Sequence, residues 1–81
     1  PFNHEVVLKY ALPEPAEVEL LVYDALGQVV RRLVAGFEGA GFHRVVWDGR
    51  DEEGKLVATG AYIARLQAGE FAQMQKMTLV K

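Results

Sequence analysis

Side chains able to do nucleophilic chemistry are scarce in this sequence. It has neither cysteine nor serine, which leaves Thr59, Thr78 and the tyrosines as its hydroxyls. The common Ser-His and Cys-His arrangements are therefore impossible, and so is a thiolate metal site. The two histidines, His4 and His43, stand far apart and show no metal-ligand spacing. The densest acidic stretch is Asp48, Asp51, Glu52 and Glu53. A calcium loop needs several hard oxygen ligands within about 12 residues, and Asp48, Asp51 and Glu53 are the only candidates for one. Arg50 stands where a second acidic ligand belongs, and no glutamate follows at the twelfth position. Aspartates in turns more often hydrogen-bond their own backbone, so the expectation here is a solvated turn with no metal. A glycosidase-like carboxylate pair requires a cleft, which a domain this small has little room to build. No catalytic residue and no cofactor are expected. Gly36, Gly39 and Gly41 are not followed by the Lys-Ser/Thr pair of a phosphate loop.

The aromatic residues raise a second possibility, a sugar-binding face of coplanar exposed rings. Trp47 and Tyr62 lie among apolar neighbours and read as core, while Phe37 and Phe42 flank the glycine-rich stretch and are the best candidates for exposed rings. A carbohydrate-binding module is therefore one alternative reading, and a structural scaffold β-sandwich, which the rings do not bear on, is the other.

These residues need a frame. The chain has 81 residues, enough for one domain spanning 1–81. A hydrophobic fraction of 51% with 25% charged residues fits a folded globule rather than a disordered chain. A net charge of −2 argues against a general nucleic-acid binder. No apolar run reaches the about 18 residues of a membrane-spanning helix, and no charged-then-apolar leader is visible.

The apolar pattern has period two, the mark of strands. Val6, Leu8, Tyr10 and Leu12 alternate with Val7, Lys9 and Ala11 until Pro13-Glu14-Pro15 stops the run. Val18, Leu20 and Val22 define a second strand, and Asp24 to Gly27 a tight turn. Gln28 to Val34 reads as a third strand, in preference to a short helix weakened by Gly27 and three valines. Ala35 to Gly41, with three glycines, reads as a loop. Phe42 to Trp47 forms a fourth strand, Asp48 to Gly54 a long turn, and Leu56-Val57 a short edge piece. Ala61 to Gln67 and Phe71 to Val80 are strands around Ala68-Gly69-Glu70. Six or seven short strands with this turn spacing predict an all-β, immunoglobulin-like two-sheet antiparallel sandwich. Its expected core is Leu8, Tyr10, Val18, Leu20, Val22, Leu33, Val45, Trp47, Tyr62, Ala64, Leu66, Met77 and Leu79.

In order, the landmarks are Pro1-Phe2-Asn3, Tyr10-Ala11-Leu12-Pro13 and Tyr23-Asp24-Ala25-Leu26-Gly27, then Trp47-Asp48-Gly49-Arg50-Asp51, Gly54, Gly60-Ala61-Tyr62 and a closing Lys76-Met77-Thr78-Leu79-Val80-Lys81. This ordered set resembles the C-terminal sorting domain of the type IX secretion system and the related immunoglobulin-like domain of the flagellar hook-capping protein. His4-Glu5 replace the Pro-Ser/Thr that usually follows the opening motif. Tyr23, Asp24, Gly27, Trp47, Asp48, Gly49, Gly60 and Tyr62 are folding residues of the pattern, and Gly60 is expected to let a loop enter a strand at close backbone approach.

The resemblance implies a non-catalytic C-terminal module, excised from a larger, enzymatic secreted protein, that directs secretion or cell-surface attachment. The implied partner is an outer-membrane secretion or attachment machine, met through protein–protein contacts, and the implied location is secreted or at the cell surface. Lys76, Met77, Thr78, Leu79, Val80 and Lys81 are the expected contact residues, because an exposed sheet edge accepts a strand.

Overall fold

The computed structural model describes residues 5–80. Six strands run in chain order: β1 (Val6–Leu12), β2 (Ala16–Tyr23), β3 (Val29–Glu38), β4 (Gly41–Trp47), β5 (Gly60–Ala68) and β6 (Phe71–Leu79). They form two antiparallel sheets, a two-stranded β1-β4 pair and a four-stranded sheet in the order β3-β2-β5-β6. The expected all-β, immunoglobulin-like sandwich is what the chain adopts.

Alternation builds the core. Leu8, Tyr10 and Leu12 of β1 point inward, as do Val18, Leu20 and Val22 of β2, Tyr62, Ala64, Leu66 and Ala68 of β5, and Met77 and Leu79 of β6. Trp47 and Val22 are fully buried. Each side chain of this size contributes about 1.5–3 kcal/mol when taken out of water, so the inner faces of the two sheets supply most of the driving force.

Two departures from the sequence reading concern β3. The chain does not become a loop at Ala35: β3 continues through Gly36 to Glu38, leaving only Gly39-Ala40 between it and β4. The reason is pairing, since β2 is long enough to hold Ala16 opposite Glu38 and Val18 opposite Gly36. Local composition read the glycines as a break, and the neighbouring strand overrode them. The second departure is that Leu33 is only half-buried, as is Val45. Register shifts between Leu20/Leu21 and Val22/Tyr23 leave Leu33 and Val30 without β2 partners. These are bulges, and both side chains pack against the rim of the core.

Leu12, Leu21 and Ala68 join the buried set without having been expected there. Leu21 lies on the outward face of β2, with Arg32 on one side and Arg65 on the other in register. The methylene stems of arginines flanking a central strand can shield such a leucine while their charged heads stay wet.

Leu56 forms an isolated bridge with Arg50 in place of a strand. The final strand ends at Leu79, one residue earlier than its apolar pattern implies.

Candidate interaction surfaces

The landmark residues assemble into two turns and one aromatic pair. At the β2–β3 turn, Asp24 Oδ1 accepts the N–H groups of Leu26 and Gln28, each at 2.9 Å. The Asp24 and Gln28 main chains add a 2.9 Å bond from N–H to carbonyl. Gly27 closes the turn at φ 83°, a left-handed conformation open to glycine at little cost.

After β4, the Trp47 indole N–H donates to the Arg50 carbonyl at 3.0 Å. The indole meets the Tyr62 ring edge-on, with centroids 5.3 Å apart and an interplanar angle of 66°. The Tyr62 hydroxyl donates to the Ala58 carbonyl at 2.6 Å. Trp47 thus ties the start of the long turn to its end, through its N–H on one side and its ring on the other. Gly60 needs glycine for a different reason from the expected one. A Cβ there would meet nothing within 4 Å, so no close backbone approach exists; its φ of +149° is the constraint.

The acidic stretch is a set of backbone acceptors. Asp48 Oδ1 accepts from Arg50 N–H and the Arg31 guanidinium, both at 3.1 Å. Asp51 Oδ1 accepts from Glu53 N–H at 2.9 Å and Lys55 N–H at 3.0 Å. Among the described residues, no group of three or more His, Asp or Glu side chains is arranged to hold a metal ion. Asp48 and Asp51 already turn the chain, and Glu53 does not converge with them.

Both ends of β3 are tied to the β1-β4 side of the sandwich. Near its start, Arg31 pairs with Asp48, and near its end Glu38 accepts a hydrogen bond from the Tyr10 hydroxyl and lies 3.6 Å from His43 Nδ1. Tyr10 and His43 stack at 5.2 Å with an interplanar angle of 17°. Burial, the bond to Glu38 and the nearby carboxylate charge all push the Tyr10 hydroxyl well above its ordinary pKa of 10.0.

The opposite side is open. Among the described residues β6 is an edge strand paired only with β5, nine residues long, in unbroken register and without proline. Its solvent face carries Ala72, Met74, Lys76 and Thr78, so Lys76 is its one charge. Gln73 and Gln75 stand with Leu8, Lys9 and Tyr10 of β1 around a narrow cleft of about 30 Å³. Of the expected contact residues, Met77 and Leu79 are core, Lys76, Thr78 and Val80 are exposed, and Lys81 lies outside the described residues, as do Pro1 to His4.

The rings expected to be exposed are so. Phe37 stands on β3 and Phe42 on β4, on different sheets.

Residues 3–70 match the model of the FlgD Ig-like domain. The chain belongs to that family. Among solved structures it is similar to the crystal structure of FlgD from P. aeruginosa, with a TM-score of 0.72 and 28% sequence identity. That match covers 93% of this chain and 58% of the other, so this chain spans little more than half the length of that protein. Among curated proteins, none matches it. FlgD-like Ig domains are structural modules without catalytic activity, and this one has the same character. The match supports the hook-capping half of the resemblance and lends nothing to the type IX half. It ends at residue 70, so β6 lies outside the matched segment. Among the described residues, no helix is long and apolar enough to cross a membrane.

Proposed function

We propose that this Ig-like domain is a non-catalytic contact module of a larger protein, and that its β6 edge docks a strand of a partner protein. One observation carries the reading: β6 is a long, regular edge of the four-stranded sheet, uncapped among the described residues, whereas β3, the other edge, is bulged and tied down. Long, regular edges are what partner chains pair with. The exposed part of the closing motif, Lys76, Thr78 and Val80, lies along this edge or just beyond it.

The setting follows from the landmark pattern. In this reading the module sits at the C-terminus of a secreted protein, and an outer-membrane export machine of the type IX class reads it and releases or attaches the protein at the cell surface. A second reading, favoured by the family match, is a scaffold role in flagellar hook assembly. The two are separated by fusing the domain to the C-terminus of a periplasm-directed fluorescent reporter in a host with the type IX machinery. Reporter at the surface or in the medium supports sorting. A folded fusion retained in the periplasm overturns it and leaves the scaffold reading.

A further inference from the structure

We propose that the outer face of the β1-β4 sheet is a docking surface for an acidic, extended polypeptide segment, distinct from the β6 edge on the other sheet. Register sets Lys9 directly opposite Arg44. Both side chains are exposed, and neither makes an ion pair or hydrogen bond within the described residues. Like charges directly opposed across a strand pair repel one another. Here they stand together on a chain whose net charge is −2.

The rows on either side are apolar. Ala11 faces Phe42, whose ring is 94% exposed, and Val7 faces Val46, both also exposed. Lys9, Arg44, Ala11 and Phe42 line an open hollow of about 550 Å³, together with Tyr10 and His43. The face therefore reads apolar, doubly cationic, apolar, in steps of one strand repeat. Same-face residues of an extended chain recur every second position, about 6.8 Å apart. A segment of the pattern apolar-x-acid-x-apolar matches the three rows: its carboxylate sits between Lys9 and Arg44, and its flanking side chains cover Phe42 and Val46.

Charge complementarity favours a peptide over an anionic surface. Attraction to lipid or polyanion grows with the number of cations presented, and this face presents one pair, bracketed by apolar rows. A single carboxylate between the two cations relieves their repulsion and desolvates little else.

The test uses the ¹⁵N-labelled domain, titrated with the peptide Gly-Val-Thr-Glu-Thr-Phe-Gly and with its Gln-for-Glu counterpart. The glutamate peptide is expected to shift the amides of Lys9, Ala11, Phe42, Arg44 and Val46, with the glutamine peptide at least about tenfold weaker. The K9Q/R44Q double variant should lose the binding. Lys9→Glu should lose it too while raising the melting temperature, since it turns the repelling pair into an ion pair, and this separates lost binding from lost folding. Equal binding of the two peptides, shifts confined to other faces, or no shift with the glutamate peptide overturns the proposal. So does stronger binding to phosphatidylglycerol vesicles or polyglucuronate than to the peptide.

Discussion

Glu52 Oε1 accepts the main-chain N–H of Arg32 at 2.6 Å, so a side chain from the β4–β5 turn occupies a backbone donor of the edge strand β3. Together with the bulges at Val30 and Leu33, this blunts one edge of the large sheet. Glu52→Ala is expected to cost about 0.5–1.5 kcal/mol and to increase self-association. Urea unfolding reads the first effect and sedimentation velocity the second. Unchanged association would mean that the bulges alone protect β3.

Asp24 accepts two turn N–H groups, at Leu26 and Gln28. Replacing it with alanine strips both of their acceptor, and an expected loss of about 1–2 kcal/mol should appear as a lower urea midpoint. Gly27→Ala tests backbone strain separately. A Cβ at Gly27 meets nothing within 4 Å, so any destabilisation reports its φ of +83° rather than a clash. About 1 kcal/mol is expected.

Trp47 holds the long turn through its N–H and the core through its ring. Trp47→Phe keeps an aromatic group but leaves the Arg50 carbonyl without that donor and part of the core unfilled. A destabilisation of about 2–4 kcal/mol is expected by circular dichroism, a large share of the stability of so small a domain.

Two phenols make the fold sensitive to alkali. Burial is the main cause raising the pKa of both Tyr10 and Tyr62; Glu38 adds to it at Tyr10 and Asp24 at Tyr62. The unfolded chain therefore gives up these protons first as the pH climbs. Their stabilisation is whole below the unfolded value of 10.0 and is lost as the pH rises from there through the folded values. Urea midpoints should fall above pH 10, and Tyr10→Phe should flatten that fall. An equally steep fall in the variant would remove Tyr10 as its source.

How far the sequence discloses this fold differs by strand. β1 and β5 alternate cleanly because each buries one face, and eleven of the thirteen expected core residues are buried. β3 is legible as a strand as far as Val34 and not beyond, because Gly36 looks like part of a loop until β2 is placed beside it, and the bulges at Val30 and Leu33 hide which of its side chains face the core. Asp24, Gly27 and Trp47 were recognisable as folding residues, since their roles are local and short-range. The Lys9–Arg44 pairing was not, because two cations 35 positions apart meet only once register is known.

The β6 edge is the central claim, and export of the reporter fusion tests it most directly. Met74→Glu with Thr78→Glu charges the solvent face of β6 and leaves the buried Met77 and Leu79 in place. Val29→Glu, on the exposed start of β3, serves as the control edge. With folding of each fusion verified by circular dichroism, fractionation should show the β6 variant trapped in the periplasm and the β3 variant exported like the parent. Equal export of both folded variants would contradict docking at β6.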